Sequence, residues 1–174
     1  MYEKTYPTKR FAQTMEFLEE WVSREETILD LGVANPFSQL MKDAGYRVQN
    51  TGGEDLDLDY QAVMESDYQV LTGFEILEHL VSPFNLLQHA RARKLVVSVP
   101  LNLWFASAYK HPEDKWDRHY HEFEDWQFDW LLEKAGWTIK ARKKFTHPVR
   151  KIGIRPILRR FTPRYYLVYA ERTP

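Results

Sequence analysis

The stretch FEILEHLVSP, residues 74–83, decides how this chain is read. It follows an apolar run, QVLTG at residues 69–73, that fits a buried strand stopped by a glycine. Glu75, Glu78 and His79 stand at i, i+3 and i+4, so a helical turn over 74–80 would set all three on one face. Two carboxylates and an imidazole past the carboxyl end of a strand occupy the place where open α/β sheets keep their sites. A second string, RHYHEFEDWQFDWLL at residues 118–132, lies about forty residues downstream and supplies His119, Tyr120 and His121.

Strand and helix signals alternate on either side of this stretch. Phe11, Met15, Leu18 and Val22 form one stripe of an amphipathic helix over 11–22. TILDL (27–31) reads as a strand, and Asn35-Pro36 as an N-cap followed by proline at the first helical position. The helix FSQLMKDA (37–44) stops at Gly45, and YRVQNT (46–51) is the next strand before Gly52-Gly53 turns the chain. Residues 54–67 are acidic and have room for one small helix near 60–65. A helix over 83–89 leads to KLVVSV (94–99), the strongest strand signal. A helix near 124–134 closes at Ala135-Gly136, and strands near 137–145 and 165–171 flank a basic connection. Alternating strands and helices imply an α/β layer fold with a mainly parallel sheet.

Composition narrows the classes. A chain of 174 residues is expected to form a single domain spanning 1–174, with an N-terminal helical segment (1–26) and a basic insertion (146–164) before the last strand. With 44% apolar and 15% aromatic residues, a packed core is expected rather than disorder. The absence of cysteine excludes disulfides and thiolate metal sites. No apolar run approaches the ~20 residues of a membrane span, and the N-terminus lacks a signal-peptide core, so a cytoplasmic location is expected. Net charge is −1, but it is unevenly spread. Residues 140–172 carry eleven Lys or Arg against Glu171 alone, whereas residues 43–88 carry nine acids against Arg47.

Four segments together resemble the class I S-adenosylmethionine-dependent methyltransferases. ILDLGVANPFSQL resembles the first strand and glycine loop, and QVLTGFEILEHLVSP the fourth strand and its turn. KLVVSVP resembles the fifth strand, and RHYHEFEDWQFDWLLEKAGW the late helix after a histidine-aromatic stretch. The resemblance implies a Rossmann-like, doubly wound, mainly parallel sheet of 6–7 strands, with helices on both faces and the last strand antiparallel. It implies S-adenosylmethionine as cofactor, bound by Asp30, Gly32, Val33, Ala34, Asn35, Gly52, Glu54, Asp55, Asp57 and Phe74. Asp30 and free amides at the helix start would meet the cofactor's zwitterionic tail. Two departures stand out. Gly32 is followed by Val33 and Ala34 rather than more glycine, and no acid ends the second strand. The segment between the second and fourth strands is also short for a helix-strand-helix unit, so the third strand is expected to be reduced or absent.

Methyl transfer to an oxygen or nitrogen of a small-molecule acceptor is the first reading, with Glu78, His79, His119 and His121 in catalytic roles. Glu75, Trp104, Phe105 and Tyr120 would line the acceptor pocket, with Tyr109 and Trp116 as further aromatics. Trp126 and Trp130 are assigned to packing. Small-RNA 3′-terminal 2′-O-methyltransferases hold a divalent cation on a similar Glu-x-x-Glu-His plus a later histidine. By that resemblance Glu75, Glu78, His79 and His121, with His119 second to His121, form an alternative metal set suited to Mn²⁺, Fe²⁺, Co²⁺ or Zn²⁺. A third reading is a methyltransferase-like fold that has lost its cofactor and serves as a binding module. The basic string KIGIRPILRRFTPRYY (151–166) interleaves isoleucines with arginines, fitting an anionic membrane surface, RNA phosphates or a solvated cover for the sheet.

Overall fold

The computed structural model describes residues 8–147 and 152–172. Six strands form one sheet in the order β2-β1-β3-β4-β6-β5. They are β1 Thr27–Asp30, β2 Arg47–Asn50, β3 Val70–Phe74, β4 Lys94–Pro100, β5 Thr138–Thr146 and β6 Pro163–Glu171. The pairs β1–β2, β1–β3 and β3–β4 are parallel; β6 runs antiparallel to both β4 and β5. Between β2 and β3 lies only the short helix α3, Gln61–Glu65, so β2 is the sheet edge there and no additional strand intervenes.

Alternation along the strands sorts side chains to two cores. Leu29, Leu71, Leu95 and Val97 face α3 and the helices α4 (Pro83–His89) and α5 (Asp125–Lys134), meeting Val63, Leu86, Leu87, Phe128 and Leu132. Ile28, Val70, Val96 and Leu167 face the opposite side, against α1 (Thr8–Trp21) and α2 (Pro36–Asp43) through Phe11, Leu18, Phe37 and Met41. The doubly wound arrangement therefore follows from apolar residues on both faces of β1, β3 and β4, which is what a central parallel strand needs.

Helix α2 begins as expected. The Asn35 side chain accepts hydrogen bonds from Phe37 N and Ser38 N, and Ser38 completes a capping box. It ends at Gly45, whose φ of +92° is open to glycine. Two expectations are corrected. Residues 74–80 do not form a helical turn: Glu75 takes φ +57°, and only Leu77–His79 forms a short 3-10 turn. Glu75 N donates to Ser98 O at 3.0 Å, a tertiary bond to β4 that turns Glu75 away from the other two residues. Trp126 and Trp130 are not packed in the core. They are 47% and 63% exposed and stack edge-on at 4.7 Å, while Phe128 and Leu132 are buried.

The basic connection forms helix α6, Ile154–Phe161, with Pro156 in its first turn. Lys151 lies outside the described residues, as do residues 1–7 of the expected N-terminal segment. Among the described residues, no helix is long and apolar enough to cross a membrane.

Candidate functional site

The carboxyl ends of β1 and β3 carry the site. Asp30, the last residue of β1, is buried, with both carboxylate oxygens engaged. Thr72 Oγ1 donates to Oδ1 at 2.7 Å and Asn50 Nδ2 to Oδ2 at 3.1 Å. Burial pushes its carboxyl up to about 7, against the pull of these two donors. Gly32 N donates to Thr51 Oγ1 at 2.7 Å, fixing the turn after β1 against the end of β2. Gly32 has φ +92°, and a Cβ there would stand 3.0 Å from Ile76 Cδ1. Gly53 is tighter still: its φ is +93°, and a Cβ would come within 2.7 Å of Val33 Cγ1. Both glycines let two loops approach one another closely.

These loops form one wall of a cleft of about 890 Å³. Gly32, Val33, Gly53, Glu54, Asp55, Leu56, Asp57 and Leu58 line this wall, with Ile76, His79, Leu80, Val81 and Ser82 opposite and Lys115, Trp116 and Tyr120 at the rim. Val33, Leu58, Val81 and Trp116 are 57%, 83%, 59% and 73% exposed, an apolar lining left open to solvent in a polar frame. That combination suits a flat, mainly apolar ring system with polar edges. Asp57 holds the opposite wall. Its Oδ2 accepts from Val81 N and its Oδ1 from Ser82 N, each at 2.7 Å. Asp57 thus anchors the 79–82 loop with both oxygens, and Glu54 and Asp55 are the cleft acids beside it.

A smaller recess of about 20 Å³ lies at the strand ends, lined by Arg10, Asp30, Asn35, Phe74, Glu75 and Ser98 among others. Ser98 Oγ donates to Glu75 Oε1 at 2.9 Å, and Arg10 Nη1 stands 3.6 Å from Glu75 Oε2. Burial raises the Glu75 pKa, offset in part by Arg10 and the Ser98 bond. Phe74 lines this recess, packed edge-on against Phe37 at 4.9 Å, and does not line the large cleft. Ile76 takes the cleft position.

The third part of the site is a cluster of polar groups. The amides of Tyr120 and His121 both donate to Glu78 O, at 2.8 and 3.3 Å, which draws the 118–121 string onto the 3-10 turn. The rings of His79 and His119 then meet edge-on at 4.7 Å. One ligand atom each from Glu78, His79 and His119 lies within 4.8 Å of the other two. Glu78 is 1% exposed, and burial together with the Glu75 charge raises its pKa well above the ordinary carboxylate range. Its Oε2 has no partner, nor does the buried Nδ1 of His119. His79 Nδ1 lies 3.0 Å from Arg118 O. A carbonyl can only accept, so Nδ1 carries a proton, and in the neutral ring the lone pair is on Nε2, 3.8 Å from Glu78 Oε1. Burial, then the nearby His79 and Arg164, lower the His119 imidazole to about 4, so it is neutral at neutral pH. Tyr109 packs tilted against His119 at 4.6 Å and donates from its hydroxyl to Asp117 Oδ2 at 2.6 Å, bracing the ring.

Several sequence-predicted residues are placed elsewhere. His121 is turned from the cluster, with Nε2 3.2 Å from Val81 O and its ring stacked on Phe123 at 5.2 Å. His119 takes the place expected for His121, and Glu75, directed at Arg10 and Ser98, is not part of the set. The amides at the start of α2 are not free for an anion, because Asn35 Oδ1 caps Phe37 N and Ser38 N and Pro36 has none to offer. Ala34 and Gly52 are exposed and line neither cavity, with Glu54 Oε2 folding over Gly52. Trp104 and Phe105 pair edge-on at 5.3 Å outside both cavities, while Trp116 and Tyr120 are the cleft aromatics. Sequence reasoning missed Asn50 and Thr72, which hold Asp30, and Arg10, which faces Glu75. A polar residue at the end of β2 was the available signal for Asn50.

The chain has the class I S-adenosylmethionine-dependent methyltransferase fold. It is similar to Burkholderia thailandensis 1,6-didemethyltoxoflavin-N1-methyltransferase, solved with 1,6-didemethyltoxoflavin and S-adenosylhomocysteine bound. The TM-score is 0.65 at 18% identity, over 94% of this chain and 78% of that one. It is also similar to a SAM-dependent methyltransferase from Archaeoglobus fulgidus, with TM-score 0.65 at 13% identity, covering 97% and 96% of the two chains. The methyltransferase domain of bacterial CtHen1 superimposes with TM-score 0.57 at 16% identity, over 96% of this chain and 100% of that one. At these identities the likeness establishes the fold. No known family profile and no curated protein matches the sequence.

Proposed function

We propose that this protein transfers a methyl group from S-adenosylmethionine to an oxygen or nitrogen of an acceptor held between the large cleft and the Glu78–His79–His119 cluster. The observation that carries this reading is the position of the open apolar cleft. It is walled on one side by the two glycine-held loops, beside His79 and within the fold that S-adenosylmethionine enzymes use. When bound, the cofactor supplies an electrophilic methyl group, and the chain aligns the acceptor and receives its proton. Glu54 and Asp55 offer carboxylates to ribose hydroxyls at the cleft wall. Asp30 at the strand end suits the cofactor's ammonium, which would favour its ionised form. His119, neutral and set against Tyr109, is suited to align the acceptor by a hydrogen bond, with the His79 ring beside it to receive the proton. Glu78, whose burial favours its protonated form, offers a second hydrogen-bonding group to the acceptor. Calorimetric titration with S-adenosylhomocysteine tests cofactor binding. His119→Ala tests the acceptor side, because it should leave that binding unchanged while removing turnover of any acceptor that is found.

A specific observation favours a second reading of the same cluster, in which Glu78, His79 and His119 hold a divalent cation. Glu78 Oε2 and His119 Nδ1 are buried without partners, and His79 Nε2 presents a lone pair from a ring oriented by the Arg118 carbonyl. A mixed oxygen and nitrogen set suits Mn²⁺, Fe²⁺, Co²⁺ or Zn²⁺, and such an ion would acidify an acceptor hydroxyl. Binding of Mn²⁺ that is lost in His119→Ala and retained in His121→Ala would support it.

A further inference from the structure

Helix α6 leaves an apolar stripe in solvent. Ile154, Ile157 and Phe161, at i, i+3 and i+7, are 78%, 55% and 80% exposed, and Ile152 just before them is fully exposed. No residue of this helix is buried. Arg155 and Arg160 flank the stripe on either side, Arg159 lies behind it, and no acidic side chain among the described residues pairs with any of the three. A cover for the sheet would turn its apolar side inward; here the apolar side points out. Phosphates of a nucleic acid would account for the arginines but not for a contiguous apolar stripe. A layer that is apolar below and anionic at its surface matches both, with the arginines reaching up to the headgroups.

The helix also stands at the active-site end of the sheet. Leu101 N donates to Arg164 O at 2.7 Å, and Arg164 Nη1 donates to Leu101 O at 2.5 Å. The chain leaving α6 and the chain leaving β4 are therefore tied side by side where the strand ends carry the site. Three residues beyond Leu101 is Trp104, 75% exposed, paired with Phe105. An exposed tryptophan three residues past this tie is of the type that anchors a chain at an interface. Arg164 acts electrostatically on Glu75, Glu78 and His119, which places the polar cluster next to the same rim.

We propose that α6, together with the exposed Trp104, docks this protein reversibly on an anionic lipid surface, bringing the rim of the candidate site to the lipid–water interface. This goes beyond the methyl-transfer reading and does not rest on it. The test is co-sedimentation of the purified full chain with vesicles of phosphatidylcholine alone or with about 30% phosphatidylglycerol, at physiological salt. Partition onto the anionic vesicles is expected to exceed that onto neutral ones by about tenfold or more. The pair Arg155→Glu with Arg160→Glu should remove that preference, and Ile157→Ser with Phe161→Ser should lower partition about tenfold. All four side chains are exposed, so unchanged thermal melting of the variants serves as the fold control. Equal partition onto both vesicle types would overturn the proposal, as would partition indifferent to both variant pairs. A salt-sensitive complex with a single-stranded RNA oligonucleotide, in the absence of vesicle binding, would overturn it in favour of nucleic acid. Dimerisation abolished by Phe161→Ser, again without vesicle binding, would assign the stripe to a second copy of the chain. Failure of S-adenosylhomocysteine to bind would sink the methyl-transfer reading and leave the vesicle result standing.

Discussion

Cofactor binding is expected to strengthen as pH rises through neutrality, because Asp30 must ionise to meet an ammonium group. Burial holds the Asp30 carboxyl at about 7 instead of 3.8. A carboxyl of that pKa is ionised in about 3% of molecules at pH 5.5 and in about 90% at pH 8. If only the ionised form binds the cofactor's tail, the affinity for S-adenosylhomocysteine rises about thirtyfold across this range, about 2 kcal/mol. The same carboxyl affects folding with a definite sign. Between pH 4 and 7 the folded chain holds the proton and the unfolded chain does not, so this contribution to stability is fully present below 3.8 and is lost as pH rises through 7. The loss is on the order of 4 kcal/mol. Asp30→Asn should flatten that slope, since Thr72 can still donate to the amide oxygen and Asn50 can rotate its unpartnered Oδ1 to accept from the new amide. The assays are calorimetric titration and urea unfolding of both proteins from pH 5.5 to 8. Affinity that is flat with pH, or an Asp30→Asn protein that binds at pH 8 as tightly as the parent, would remove Asp30 from the cofactor site.

Three further outcomes are expected. Asp57→Ala removes two 2.7 Å bonds from backbone amides to a carboxylate, so it should cost about 2–4 kcal/mol in urea unfolding and weaken S-adenosylhomocysteine binding through the loosened 79–82 loop. Asp57→Asn, which keeps one acceptor oxygen, should recover part of the loss. Gly53→Ala forces a side chain into φ +93° against Val33, so a loss of about 1–2 kcal/mol is expected together with reduced affinity, whereas Gly136→Ala, with open space around it, should show the backbone strain alone. His119→Ala should abolish any Mn²⁺ binding seen by calorimetry, while His121→Ala, whose ring faces Val81 O and Phe123, should retain it; the reverse outcome would restore His121 as the ligand.

The fold was legible where the determinants are local. The apolar runs at β1, β3 and β4, the Asn35-Pro36 cap and the glycine ends of α2 and α5 each act within a few residues, and each appears in the structure. The missing strand between β2 and β3 was legible from segment length alone. The site was less so, because its geometry is set by contacts between distant segments. Glu75 leaves the face shared by Glu78 and His79 because its amide bonds to Ser98 O on β4, which no spacing rule contains. The choice of His119 over His121 depends on two amides converging on Glu78 O and on the His121 ring facing Val81 O and Phe123. Asn35 was read correctly as a cap, yet the consequence that it occupies the helix amides was not drawn from the sequence. The pair Trp126 and Trp130 shares the i, i+4 spacing of Phe128 and Leu132, so periodicity alone could not select the buried pair.

The most direct measurement is calorimetric titration of the purified chain with S-adenosylhomocysteine at pH 8, with and without Mn²⁺. We expect one site per chain with micromolar affinity, about −8 kcal/mol, from a cofactor seated in the 890 Å³ cleft. A change in heat or affinity on adding Mn²⁺ that His119→Ala abolishes would place a cation in the Glu78–His79–His119 cluster. No heat under either condition, in a chain that melts cooperatively, would contradict the methyltransferase reading and leave the fold as a binding module.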